Sequence, residues 1–162
     1  MSDAPPSKMP MVGAVLAVTA VVVCSGVVMM VGVMAAIAIP NFITMQLKAK
    51  RGEIPGNVDG IKTAELAYDA AFDGYVAVPP APGPVGSEGK ALWDWRGSPE
   101  WTTLNWQPDG KVRGVYWVTV SPNNSDFVVH GVADVDGDGA EVHYTATTSI
   151  NATLAPGEYN VY

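Results

Sequence analysis

One short stretch of the sequence carries carboxylates at a spacing that suits a metal ion. Asp134, Asp136 and Asp138 stand two residues apart, and a glycine follows each of the last two. Carboxylates at the first, third and fifth positions, with a glycine at the sixth, match the first half of a calcium-binding loop. The twelfth position, where such a loop supplies a bidentate glutamate, holds Thr145. Two interpretations stay open: a calcium site with an incomplete ligand set, or a hairpin turn rich in aspartate and glycine.

The remaining polar residues show no spacing typical of catalysis. His130 and His143 are the two histidines of the chain, which is too few for a zinc site of three or four ligands. The sequence contains no nucleophile–base pair, phosphate-binding loop or nucleotide fingerprint. We therefore expect a protein that is not an enzyme.

The five tryptophans all lie between Trp93 and Trp117. Their indole rings could line a face that binds carbohydrate or lipid. The single cysteine, Cys24, allows no disulfide within the chain, so the folded part must hold together by packing alone. In a small domain of this kind we expect the tryptophans in the core.

Charge divides the chain into two dissimilar parts. The 162 residues include 9 lysines and arginines against 16 aspartates and glutamates, a formal net charge of −7. No charged residue occurs from Met9 to Leu47, so the acidic excess belongs to the residues that follow. Proteins held to nucleic acid by phosphate contacts carry a basic patch instead, so nucleic acid is not an expected partner.

The uncharged stretch predicts a transmembrane helix over residues 11–39, after a short N-terminal tail at residues 1–10. These 29 residues would form a helix about 43 Å long, which exceeds the hydrocarbon core of a bilayer, about 30 Å thick. A secretory signal peptide has an apolar core of about 7–15 residues, so the stretch is too long for one. Membrane lipid is therefore an expected partner. Gly32 and Ala36 stand four residues apart, a spacing that lets two helices approach closely in lipid.

Residues 40–75 predict an amphipathic extension of this helix. Pro40 can kink it, and the glycines and proline of residues 52–56 predict a bend. Asn57 is the predicted N-cap of a renewed helix over residues 58–72, with Gly74 at its C-terminal stop. A buried stripe is expected on this helix, with Lys62 away from it; the stripe consists of Ile61, Ala64, Tyr68, Ala71 and Phe72.

Residues 76–162 predict a β-rich globular head. Residues 76–99 contain too many prolines and glycines for regular structure. Four β-like runs follow, joined by short turns that favour an antiparallel meander with one face covering the helix. The predicted fold class is α+β. The four runs are Val112–Val120, Asp126–Ala133, Glu141–Ile150 and Glu158–Tyr162.

The end of the apolar stretch resembles the N-terminal helix of type IV pilins and pseudopilins. The residues from Ala35 to Phe42 read AAIAIPNF, and Gly32 lies where that family usually has a glycine. The likeness continues through the amphipathic helix as far as Gly74 and Tyr75. The resemblance implies a pilin-like fold, with a long N-terminal helix packed on a small antiparallel sheet. It also implies that Gly32, Ala36, Pro40 and Phe42 serve helix packing and assembly.

The resemblance implies a structural or accessory component of a type IV pilus or a pseudopilus of the type II secretion kind. Its location would be the bacterial inner membrane, crossed once, with the C-terminal domain in the periplasm or, after assembly, in a cell-surface pilus. The implied partners are other pilin-like subunits or the pilus and secretion machinery. The alternative is a membrane-tethered periplasmic module that uses calcium for binding or adhesion on a pilin-like scaffold.

Two signals of the pilin family are replaced in this sequence. Val23 occupies the position of the family's helix glutamate, which is thought to pair with the terminal amine of a neighbouring subunit. The first mature position corresponds to Thr19, and Val18 precedes it where prepilins have a glycine. We therefore expect prepilin peptidase not to cut this chain.

Overall fold

The computed structural model describes residues 9–87 and 89–162, with side chains described from Gly13 onwards. The predicted N-terminal tail lies outside the described residues except for its last two positions, which are helical. The chain divides into two compact units, one up to Thr44 and one from Met45 to Tyr162.

Helix α1 runs from Met9 to Arg51 and contains Pro40 without a break. Over the first unit its large apolar side chains are exposed; Val28 and Met29, for example, are 71% and 74% exposed. One helical stretch of the described chain, near the N-terminus, is long and apolar enough to cross a membrane. A helix that is apolar on all sides and lacks protein cover is suited to lipid rather than water.

Helix α2 runs from Glu53 to Phe72, so the helix predicted to begin after Asn57 begins five residues earlier than expected. Only Gly52 separates α1 from α2, and its φ of −58° and ψ of −18° are themselves helical. Pro55 falls in the first turn of α2, where a missing N–H costs little. Asn57 is thus not an N-cap; its Nδ2 donates to the Tyr116 hydroxyl at 2.9 Å.

The C-terminus of α2 is also set by a residue other than the expected one. Asp73, with φ of 58°, adopts the left-handed conformation and donates its N–H to the Asp69 carbonyl at 2.8 Å. Gly74 is buried against Asn124, and a Cβ added to this glycine would lie 2.4 Å from the amide nitrogen Nδ2 of Asn124. A side chain at position 74 would therefore displace the exposed amide of Asn124, whose Oδ1 accepts the N–H of Tyr75.

A five-stranded antiparallel sheet follows, with its strands in sequence order. The predicted α+β layout and antiparallel meander are therefore confirmed. A short helix α3, Pro99–Thr103, lies between the first two strands. The strands are β1 Val78–Ala81, β2 Val115–Val120, β3 Phe127–Ala133, β4 Val142–Thr147 and β5 Thr153–Leu154.

Two strand predictions were wrong. Strand β1 lies within the stretch expected to be irregular, and it contains Pro79 and Pro80. Prolines are tolerated there because β1 is an edge strand, where a missing N–H breaks no internal hydrogen bond. The last predicted strand, Glu158–Tyr162, is not a strand, and the shorter β5 pairs with β4 instead.

The core of the second unit lies between α2 and the inner face of the sheet. Ile54, Val58 and Ile61 are fully buried on α2, which packs on β3 and β4. The approach is close enough that a Cβ at Gly131 of β3 would lie 2.5 Å from Cγ2 of Val58. Burial of each such side chain contributes about 1.5–3 kcal/mol to folding.

The expected stripe on α2 is shifted towards its N-terminus. Phe72 is 68% exposed and Ala71 is also exposed, whereas Lys62 and Glu65 are buried. Ile61 is buried, and Ala64 and Tyr68 pack partly buried against the core, so among the predicted stripe residues only those of the last turn are wrong. The ammonium of Lys62 donates to Asn151 Oδ1 at 2.9 Å.

Candidate functional site

The three aspartates of the predicted site lie in the loop between β3 and β4. Each offers a carboxylate oxygen, and these oxygens all lie within 4.8 Å of one another. The loop closes tightly because Gly137 and Gly139 adopt left-handed conformations, with φ of +77° and +87°. The structure therefore brings together all three residues that the sequence spacing selected.

The carboxylates of this loop accept hydrogen bonds from backbone N–H groups of the same loop. Asp134 is buried, and its two oxygens accept the N–H groups of Gly137 at 2.6 Å and Gly139 at 3.0 Å. Asp138 accepts the N–H of Ala140 at 2.8 Å. Burial, followed by the negative charges of Asp138 and Asp134, raises the pKa of Asp136. Such a loop can hold a hard cation through three carboxylates, with water or carbonyls completing the shell, or it can serve as a hairpin turn.

Thr145 does not take part in this loop. It lies in β4, where it pairs with His130 of β3 and Thr153 of β5. Its side chain is exposed on the outer face of the sheet. The ligand expected at the twelfth position of a calcium loop therefore has no counterpart in this hairpin.

The two histidines lie on the outer face of the sheet and have different partners. His130 stacks on Trp117, with ring centroids 4.7 Å apart, and its Nε2 lies 3.1 Å from the Thr119 hydroxyl. His143 places Nδ1 2.9 Å from the Glu158 carboxylate. Desolvation lowers the pKa of His130. Each histidine therefore has a side-chain partner on the outer face of the sheet.

The predicted assembly residues lie on α1 in the first unit. Gly32, Ala36 and Pro40 follow one another at intervals of one turn and share a side of the helix. Phe42 lies on a different side and is 61% exposed. A Cβ added to Gly32 would meet no described atom within 4 Å. No described side chain covers Gly32, so the side of α1 that bears it is exposed.

No protein-family model, curated protein or solved structure matches this chain.

Sequence reasoning missed a buried carboxyl group on α2. Glu65 is fully buried; its Oε2 accepts the Val76 N–H at 3.0 Å, and its Oε1 has no partner among the described residues. Burial raises the pKa of Glu65 to about 7. The helical spacing of Val58, Ile61 and Glu65 could have placed this residue on the buried face, but its charge argued against it.

Sequence reasoning also treated the tryptophans as one group, although the structure separates them. Trp101 is buried, whereas Trp95 and Trp106 are half-buried beside it. Trp117 lies on the outer face of the sheet, and Trp93 forms an isolated β-bridge with Val112. The prediction of a core position thus describes Trp101 and does not describe Trp117. The sequence signal for two of these three neighbouring rings is the alternation of tryptophan with amide side chains over residues 101–107, WTTLNWQ, whereas Trp95 precedes that stretch.

Proposed function

We propose that the protein is a non-catalytic, pilin-like membrane protein that serves as a structural or accessory component of a type IV pilus or pseudopilus-type assembly. The observation that carries the proposal is α1, a helix of 43 residues whose apolar side chains in the first unit have no protein cover. The α+β head, with α2 on an antiparallel sheet, supports it as well. The protein would cross the bacterial inner membrane once, with its head in the periplasm.

Helix packing through one side of α1 is the proposed means of assembly. Small residues let helix backbones approach closely in lipid, where van der Waals contact replaces the hydrophobic effect as the driving force. The side formed by Gly32, Ala36 and Pro40 offers such a surface. Because Val23 has no charge to pair with a terminal amine, packing would have to set the register between neighbouring helices. The proposed partners are pilin-like subunits or components of the same machinery.

Cysteine cross-linking in native membranes tests this proposal. Ala36→Cys is introduced in a Cys24→Ala background, and Met34→Cys serves as the matched control because it lies on the opposite side of the helix. Each cysteine is labelled with a benzophenone maleimide, which inserts into C–H bonds on illumination and so needs no thiol on the partner. We expect illumination to link position 36, and not position 34, to a second apolar helix that mass spectrometry identifies as pilin-like. Equal cross-linking from both positions, or recovery of the protein in the soluble fraction, would contradict the proposal.

A second candidate function is a membrane-tethered periplasmic module that uses calcium for binding or adhesion. The proximity of the oxygens of Asp134, Asp136 and Asp138, within 4.8 Å, favours it. Three carboxylates brought together in this way repel one another, and a divalent cation would relieve that repulsion. The two candidates are separated by whether calcium changes the stability of the head and by whether the protein co-purifies with sheared filaments.

A further inference from the structure

A cleft of about 420 Å³ opens beside α3, entirely within the second unit. Its size falls within the range of small-molecule sites, about 300–1,000 Å³. Three indole rings and four smaller uncharged residues line it. The lining residues are Trp95, Gly97, Trp101, Thr102, Asn105, Trp106 and Gln107.

Trp95, Trp101 and Trp106 pack against one another and form one wall of the cleft. Trp101 is 1% exposed, and its indole N–H donates to the Pro79 carbonyl at 2.9 Å. Trp95 stands nearly perpendicular to Trp101 and to Trp106, with ring centroids 5.1 and 5.4 Å away. A Cβ at Gly97 would lie 2.9 Å from Cβ of Trp101. Since Trp101 is anchored and the half-exposed rings pack edge to face, the wall is ordered before any ligand arrives.

The polar groups of the cleft are free to bind. The side chains of Thr102, Asn105 and Gln107 are exposed and make no hydrogen bond to another described residue. Asn105 has φ of 55°, a left-handed conformation that asparagine tolerates. Each amide offers both donors and an acceptor. No charged side chain is among the described lining residues.

We propose that this cleft binds a neutral carbohydrate. The apolar face of a pyranose ring would stack on one of the two half-buried rings, Trp95 or Trp106, and its edge would meet the other, because the two rings stand nearly perpendicular. Its hydroxyl groups would exchange hydrogen bonds with Asn105 and Gln107. A charged ligand would lose its hydration without gaining a counter-charge, and an acyl chain would bury both amides without partners. An uncharged ring with many hydroxyl groups avoids both penalties. This binding role goes beyond the structural role proposed above and does not depend on it.

The test uses the full-length protein in a zwitterionic detergent that has no sugar headgroup, because a glycosidic detergent could occupy the cleft. The protein is applied to an array of neutral and acidic glycans, and the retained glycans are titrated by calorimetry. The variant Asn105→Gly/Gln107→Ala removes both amides while leaving the left-handed position to a residue that accepts it. Trp117→Phe is the control, since Trp117 lies outside the cleft on the outer face of the sheet.

We expect retention of neutral glycans, an affinity at least about tenfold weaker in the double variant, and an unchanged affinity in Trp117→Phe. Retention of no glycan, retention of acidic glycans alone, or an affinity unchanged in the double variant would overturn the proposal. If the double variant loses its cooperative melting transition, the affinity of the single variant Gln107→Ala replaces it in the comparison, and the same outcomes support or overturn the proposal. The side chain of Gln107 is exposed, so its removal should not disturb the core.

Discussion

At the scale of single residues, Glu65 illustrates how burial alters an ionisable group. Its side chain is fully buried, one carboxylate oxygen has no partner in the described part of the chain, and its pKa is raised to about 7. In the unfolded chain the same group has a pKa of about 4.5. The folded state therefore holds a proton more tightly than the unfolded state does between these two values.

The free energy of unfolding should consequently rise as the pH falls from about 7 to about 4.5. The cost of burying the ionised carboxylate is fully present above pH 7, where it amounts to about 3 kcal/mol. Glu65→Gln should remove this pH dependence and raise the melting temperature at pH 8. Thermal melts of the full chain in detergent at pH 5 and pH 8 measure the effect. Glu100→Gln, at an exposed position, is the control and should leave the pH dependence in place.

Asp136 provides the residue-scale test of calcium binding. If the loop binds calcium, a hundredfold excess over the dissociation constant would stabilise the fold by about 2.7 kcal/mol, a rise of several degrees in melting temperature. Asp136→Asn should abolish that rise. In chelator the same substitution should be neutral or stabilising, because burial and two neighbouring carboxylates already raise the pKa of Asp136.

Asp109→Asn, in a separate turn, is the matched control and should retain whatever calcium response the native protein shows. A melting temperature that is the same in calcium and in chelator would identify the loop as a turn only.

At the scale of elements, Arg51 at the end of α1 holds the C-terminal segment in place. One guanidinium nitrogen, Nη1, donates to the carbonyls of Glu158, Tyr159 and Val161 at 3.3, 3.2 and 2.7 Å. The guanidinium also lies over the ring of Tyr162, 5.2 Å from its centroid. Segment 158–162 thus has an ordered path although it belongs to no strand.

Replacing this arginine should loosen the segment. Arg51→Met removes a charged donor whose two Nη1 hydrogens are shared among three carbonyls. A hydrogen bond to a charged group contributes about 1.5–3 kcal/mol. We expect faster hydrogen exchange at residues 158–162 and a lower melting temperature. Lys48→Met, which changes an exposed cation of the same helix, should alter neither. Unchanged exchange in Arg51→Met would show that the segment is held by its other contacts.

Strands β2, β3 and β4 could be predicted from alternation and turn residues, because short-range patterns determine a meander. Strand β1 could not be predicted in this way. Its two prolines are tolerated only in an edge strand, and its place at the edge depends on how the other strands pair. The C-terminal segment resembled a strand but depends on a contact with Arg51, more than a hundred residues away in sequence. The aspartate loop was found because its residues are adjacent in sequence. The cleft beside α3 could not be predicted from the sequence, because the partial burial of Trp95 and Trp106 depends on tertiary packing.

At the scale of the whole molecule, the two units differ in what stabilises them. The second unit has its own hydrophobic core and most of the charge, while the apolar side chains of the first unit have no cover in the described chain. The head therefore draws its stability from its own core, whereas the helical stretch near the N-terminus is long and apolar enough to cross a membrane.

The full chain should remain in the membrane pellet after alkaline carbonate washing. Prepilin peptidase should leave the chain uncut, because Val18 stands where prepilins have a glycine, directly before the position aligned with the first mature residue, Thr19. Intact-mass measurement after purification from membranes checks both expectations. A Val18→Gly variant tests the cleavage rule directly. A product of the native chain that begins with methylated Thr19, or recovery of the head alone in the supernatant, would contradict the prediction.

The position of the aromatic residues gives the molecule an intrinsic optical probe. All five tryptophans lie in the second unit, and no tryptophan or tyrosine precedes Tyr68. Indole fluorescence therefore reports on the head alone, because the first unit contains no tryptophan or tyrosine that could emit. Unfolding of the head can be followed in vesicles without any dye. The thiol of Cys24 is exposed in the structure, so a label attached in detergent, before reconstitution, would report on the other unit.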